Sequence, residues 1–305
     1  MKATIKQISL ILFFFINASL FAENTKTWTP EQIGHGEFSL KPDQSFSYKL
    51  INKIGKPYEL KIHAFFPKGH KMTNKTPAAL FFHGGGWYGG TPDHFYPQCR
   101  YLALRGMVTF SAEYRTINKF KTTPKEVVKD GKSAMRWIRK NALTLGIDPH
   151  KLAAGGGSAG GHIAAATAFS KGFNEPVEDI TIDCKPHALI LYNPVFDNGP
   201  KGFAHALVKN YWKDFSPIDN IDKGAPPSIV ILGTKDIYIP IDTAERYKKL
   251  VNEKGSRCDL HIYEGKEHGF YNLWVNKHDL AETMIRVDKF LTSLGYLKGP
   301  PTFKK

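Results

Sequence analysis

Residues 151–168 read K-L-A-A-G-G-G-S-A-G-G-H-I-A-A-A-T-A, and the architecture of the chain turns on them. A short apolar run at 152–154 enters a cluster of glycines, and an alanine-rich segment of high helix propensity leaves it. The pattern predicts strand, sharp turn, helix. Ser158 sits at the turn inside Gly156-Gly157-Ser158-Ala159-Gly160, a match to G-x-S-x-G, where neighbours without bulk let a strained backbone raise a nucleophilic hydroxyl above a sheet. Such a serine also lies at a helix N-terminus, whose free N–H groups and positive dipole end stabilise an oxygen that turns anionic during acyl transfer. The same glycines admit a second reading. Gly155, Gly157 and Gly160 fit G-x-G-x-x-G, with Glu175 and Asp179 downstream to hold a ribose. That fingerprint normally opens a domain with its first strand, whereas this one lies mid-chain.

Upstream, residues 48–51 and 58–66 predict two paired strands, the second alternating Leu60, Ile62 and Ala64 with Lys61 and His63. Residues 78–82 form a continuous apolar run, as in a strand covered on both faces, and end in His83-Gly84-Gly85-Gly86-Trp87. A helix at 95–104, a strand at 107–112 and a helix at 125–145 lead to the serine turn. Downstream, strands at 188–192, 229–232 and 259–263 alternate with helices at 239–252 and 279–294. The alternation implies the α/β class, a mostly parallel central sheet flanked by helices on both faces. Residues 195–227 are irregular, with one amphipathic piece near 203–212, and read as a small cap insertion. Residues 23–46 read as an extended leader or partial lid, 47–296 as one domain, and 297–305 as a tail.

A length of 305 residues with 42% hydrophobic content suits a packed single domain. Residues 1–22 carry Lys2 and Lys6, an apolar run at 8–21 and a final Ala22, so a secretory signal peptide is expected. On that expectation the protein is exported, periplasmic or secreted, with no stable membrane span after processing. Without this segment the net charge falls from +14 to +12. The lysines are scattered rather than blocked or interleaved with aromatics, which reads as a solvated basic surface and not as a nucleic-acid site. Cys99, Cys184 and Cys258 show no metal-ligand spacing, although an exported chain has the option of joining two of them.

A serine hydroxyl is a poor nucleophile near neutral pH, so it needs a base within hydrogen-bond reach and an acid to orient that base. Asp236, in Gly233-Thr234-Lys235-Asp236, follows one predicted strand, and His268, in Glu267-His268-Gly269-Phe270, follows another. Both fall past the carboxyl ends of strands, the edge where a parallel sheet gathers its ligands and where Ser158 emerges. Asp242 competes for the acid role, and His261 and His278 for the base. Asp236 also suits the loop before a helix, where aspartate commonly caps. Gly85 and Gly86 follow a buried strand, and with the N–H of Ala159 they offer amide donors for an oxyanion hole. His83 reads as a structural hydrogen-bonding residue. His261, Glu264, Glu267 and His268 make no recognised zinc motif.

H-G-G-G-W, D-P-x-K before the serine strand, G-G-S-A-G-G-H, G-T-K-D and E-H-G-F together resemble the α/β-hydrolase superfamily. Within it, the chain looks like the hormone-sensitive-lipase-like esterases and their secreted relatives that deacylate plant polysaccharides. The similarity covers residues 48–294. It implies the α/β-hydrolase fold and a triad of Ser158, Asp236 and His268 in the family's chain order. It further implies hydrolysis of short-chain acyl esters through an acyl-enzyme, on a small-molecule or oligosaccharide ester, without metal or organic cofactor. Two departures stand out. Gly157 replaces the aspartate usual in the lipase-like group, and no large N-terminal cap is present. Both draw the chain towards the small carbohydrate esterases, and acetyl esters of oligo- or polysaccharides become the expected substrates. Two alternatives use the same residues: a serine exopeptidase or amidase of this fold, and a catalytically silent carbohydrate-binding protein.

Overall fold

The computed structural model describes residues 26–304 apart from Ile54, so the signal-like segment 1–22 lies outside the described residues. In chain order the elements are β1 (Gln44–Lys53), β2 (Lys56–Phe65), β3 (Thr76–Phe82), α1 (Tyr96–Leu104), β4 (Val108–Ala112), α2 (Ile117–Phe120) and α3 (Pro124–Lys140). Then follow β5 (Ile147–Gly157), α4 (Ala159–Phe169), β6 (Ala188–Tyr192), α5 (His205–Val208), α6 (Trp212–Phe215), β7 (Ser228–Gly233), α7 (Ile241–Glu253), β8 (Cys258–Tyr263) and α8 (Lys277–Ser293). The strands form one eight-stranded sheet in the order β1-β2-β4-β3-β5-β6-β7-β8. The β1–β2 and β2–β4 pairs are antiparallel, and every later pair is parallel. This is the mostly parallel, helix-flanked sheet that the alternating pattern implied, and the fold that the α/β-hydrolase resemblance implied.

Strand periodicity divides the core into two layers. Leu80, Phe82, Leu152, Ala154, Leu189, Leu191, Val230 and Leu232 face one side, where they pack with buried residues of α3, α4 and α7. Their neighbours Ala79, Phe81, Ala153, Ile190, Ile229 and Ile231 face the other, beneath α1 and α8. Because both faces are covered, the central strands are apolar throughout rather than alternating. Residues 26–38 join the second layer. Trp28 and Phe38 are buried there with Phe303, and Trp28 bridges to Phe303, so this leader is a strap tied to the tail and not a lid.

The longest predicted helix begins where expected and stops sooner. Thr123 and Glu126 form a capping box around Pro124, which fixes the start of α3. The helix ends at Lys140 rather than at 145, because Asn141 turns its amide back onto the Trp137 carbonyl (2.8 Å) and Gly146 takes a φ of 63° that reverses the chain. The cap also differs in detail. In place of one piece it holds two single turns, α5 and α6, broken at Tyr211 and bounded by the left-handed Ala204 before the first and the extended Ser216 after the second.

Candidate active site

β5 delivers Ser158 to the middle of the sheet's carboxyl edge. Its φ of 55° and ψ of −121° lie outside the regions open to L-residues, at a strain of about 1–3 kcal/mol. Three backbone bonds hold it there: its N–H donates to Tyr192 O (2.9 Å), and its carbonyl accepts from His162 N (3.0 Å) and Val195 N (3.3 Å). The glycine before it has a packing cause. A Cβ on Gly157 would overlap the Oη of Tyr271 and press on Phe95, so the buried tyrosine fills the space an aspartate would need.

β7 and β8 pair in register from Ser228 with Cys258 to Gly233 with Tyr263, which sets their following loops side by side. There His268 Nδ1 donates to Asp236 Oδ2 at 2.7 Å. The other oxygen, Oδ1, accepts the backbone N–H groups of Tyr238 (2.9 Å) and Ile239 (3.0 Å). This carboxylate is therefore fixed on both sides, and its side chain is 1% exposed against 22% for His268. With Nδ1–H committed to Asp236, the neutral ring carries its lone pair on Nε2. The competitors are elsewhere. Asp242 lies exposed in the first turn of α7, His261 lies within β8, and His278 pairs with Glu31 (3.6 Å).

Ser158 and His268 line one cavity of about 360 Å³, together with Gly85, Gly86, His94 and Tyr271. Among the described residues no hydrogen bond joins the serine to the histidine; resting active sites commonly close that contact only with substrate bound. The register of β3 beside β5, Phe82 opposite Gly156, brings the glycine turn next to the serine. Among the described residues, no acceptor takes the N–H of Gly85 or Gly86, and Ala159 opens α4 where an N–H has no intrahelical partner. Gly85 must be glycine: its φ is 116°, and a Cβ would overlap Gly89 O. Gly85 and Gly86 thus line the cavity of the strained serine and Ala159 follows it in the chain, amide donors of the type an anionic oxygen requires.

Four residues around this cavity carried no signal in the sequence. The Asn193 amide nitrogen lies 3.1 Å from His268 Nε2 and 3.2 Å from Nδ1. His94 Nδ1 accepts the Gly84 N–H at 3.1 Å, which anchors the glycine turn, while its own Nε2 is buried. Burial pushes the His94 pKa down to about 4, so the ring is neutral and Nε2 bears the hydrogen. Tyr271 walls the cavity at Gly157, and Tyr238 lays its ring edge-on to His268 with centroids 5.0 Å apart. His83 has the structural role expected of it. It is buried, stacked on Tyr114 at 4.0 Å, and burial pushes its pKa down to about 3.

The nucleotide reading of the glycines is overturned. Glu175 is held by Lys49 (3.0 Å) and Arg115 (2.7 Å), and Asp179 binds the N–H of Thr181, so neither acid is free for a ribose. Cys99, Cys184 and Cys258 are all free thiols. Among the described residues no helix is long and apolar enough to cross a membrane.

Comparison with known proteins places these features in context. The family described as alpha/beta hydrolase fold matches residues 79–272. Esterase 2 of Thermogutta terrifontis, solved as its tabun adduct, shares 36% identity at a TM-score of 0.80, covering 84% of this chain and 96% of that one. Its propionate-bound structure aligns at a TM-score of 0.79 and 36% identity over 85% of this chain and 98% of that one. Among curated sequences, Esterase LipC of Mycobacterium tuberculosis is 28% identical over 65% of this chain and 54% of its own length. An acetylxylan esterase of Xylanibacter ruminicola is 25% identical over 60% of this chain and 39% of its own. The chain spans about half the length of curated relatives it matches.

Proposed function

The chain belongs to the α/β-hydrolase family, and from that premise we propose that it is a serine carboxylesterase acting on short-chain acyl esters. Ser158 attacks the acyl carbonyl, and His268 Nε2 takes its proton. Asp236 holds the imidazole in the needed tautomer and stabilises the imidazolium that forms. The N–H groups of Gly85, Gly86 and Ala159 receive the tetrahedral oxyanion. His268 then protonates the departing alcohol, and water repeats the sequence on the acyl-serine. The observation that carries this reading is the Asp236–His268 pair at 2.7 Å on a cavity shared with a serine of φ 55°.

Short acyl groups suit a cavity of about 360 Å³ bounded on one side by Tyr271, whose ring is backed by Phe95. The matched esterase solved with propionate supports the same size class. Acetyl esters of oligo- or polysaccharides are the favoured substrates, a reading supported by the likeness to an acetylxylan esterase and by the small cap. The signal-like residues 1–22 support export. The test is hydrolysis of p-nitrophenyl esters from acetyl to palmitoyl, beside acetylated xylan and an aryl-amide panel. Turnover is expected to peak at two to four acyl carbons, and amide turnover that outruns every ester would replace this reading with an amidase.

A further inference from the structure

Beside the catalytic cavity lies a second hollow of about 490 Å³, walled by the cap and by the segment that leads into α7. The two share Phe203 and Tyr238, whose rings stand 6.5 Å apart at 82°. We propose that this hollow is the subsite for the alcohol half of the substrate, and that it takes a neutral polyhydroxylated group such as a sugar ring. The proposal rests on the esterase reading, because the acyl carbonyl must sit at Ser158 for the alcohol to run past Tyr238.

The lining selects the chemistry. Asp197, Lys201, Asp242 and Arg246 all border the hollow, two acids and two bases, so it offers donors and acceptors with no net charge. An alkyl chain would meet Phe203, Ile237 and Pro240 in the same lining, but it would strip water from the charged groups without giving them a partner. An anion fares little better. Arg246, the cation best shaped for a carboxylate or phosphate, is already committed to Asp197 (3.1 Å) and Asp219 (3.4 Å). Vicinal hydroxyls both donate and accept, which matches Asp242, left with capacity beyond its 3.4 Å contact from the Thr243 hydroxyl, and the exposed Lys201. Tyr238 adds an aromatic surface, 53% exposed, on which the C–H face of a sugar can pack.

The test separates binding from turnover. Ser158→Ala protein is titrated calorimetrically with xylotetraose, cellotetraose and mannotetraose, which carry no ester, and with tetragalacturonate as an anionic control. At least one neutral sugar is expected to bind saturably, with its Kd weakened about tenfold by Asp242→Ala and severalfold by Lys201→Ala. Lys201 is exposed, so that variant reads the subsite without endangering the fold. In active protein, the kcat/KM ratio of the matching acetylated sugar to p-nitrophenyl acetate should fall by a like factor in both variants. No binding by any neutral sugar, preference for the galacturonate, or affinity untouched by both substitutions would overturn the subsite. Failure of the wild type on every ester, with sugar binding intact and sensitive to Asp242, would instead sink the esterase reading, and with it the alcohol-half role, while leaving a sugar-binding hollow.

Discussion

Asp130 and Asp236 are both carboxylates with side chains cut off from solvent, 0% and 1% exposed, yet they are satisfied in opposite ways. Asp130 Oδ1 takes Lys49 Nζ (2.7 Å) and Arg115 Nη2 (2.7 Å), while Oδ2 takes the Arg115 backbone N–H (2.9 Å) and Nε (2.8 Å). Glu175 closes the same network from the other side. Every charge there has its partner, and the cluster locks β1, the segment after β4 and α3 together. Asp236 instead takes two backbone N–H groups and one imidazole, and beyond that imidazole lie a cavity, a strained serine and the amides of Gly85 and Gly86. A polar cluster that is complete holds the fold, and one left open on a single side is able to do chemistry.

Substitutions should split along that line. Asp236→Asn reverses the hydrogen-bond demand on His268 Nδ1 and favours the wrong tautomer. It should lower kcat by about 10³–10⁴-fold with the thermal midpoint held within a few degrees, read by ester kinetics and calorimetry. Asp130→Asn should do the converse. It leaves Arg115 and Lys49 short of a counter-charge in a buried setting, a loss of about 3–5 kcal/mol in urea unfolding, while kcat stays within about threefold. A large kcat effect from Asp130, or a large stability effect from Asp236, would erase the distinction.

Gly157 offers a smaller test on the open side. Gly157→Ala drives a methyl into Tyr271 Oη and should cost about 1–3 kcal/mol of unfolding free energy. Tyr271→Ala opens that space, so the double variant should recover part of the loss in a double-mutant cycle. Additive losses would mean the two positions do not meet.

The gentlest probe is pH. Burial holds the pKa values of His83 and His162 at about 3 and that of His94 at about 4, below the ordinary 6.5. Between those limits the unfolded chain binds protons that the native state refuses, so stability rises with pH across this window. The contribution is whole above pH 6.5 and is lost as pH falls towards 3–4. Urea midpoints should therefore decline on acidification, and a midpoint flat from pH 7 to 4 would show that these rings are not held neutral.

The fold was legible because its signals are local. Apolar runs at 78–82, 152–154, 188–192 and 229–232 each mark a strand buried on both faces, and all four stand where the periodicity put them. Helix ends were harder to read, since Asn141 stops α3 through a side-chain contact that propensity does not encode. The serine turn could be read from small residues crowded round one hydroxyl, and the Asp236–His268 pair from its place after successive strands. Asn193, His94, Tyr238 and Tyr271 could not. Asn193 meets His268 across 75 residues of chain, and nothing in these four residues' own segments announces such contacts. The reason for Gly157 was hidden in the same way, in a tyrosine more than a hundred residues downstream.

The open cluster is tested most directly by the fate of its serine. The wild-type chain treated with paraoxon, then digested and sequenced by mass spectrometry, should carry one diethylphosphoryl group on Ser158. In His268→Ala the labelling rate should fall at least about a thousandfold, in line with loss of the base. An unlabelled Ser158, or a His268→Ala variant labelled as fast as the wild type, would contradict the account.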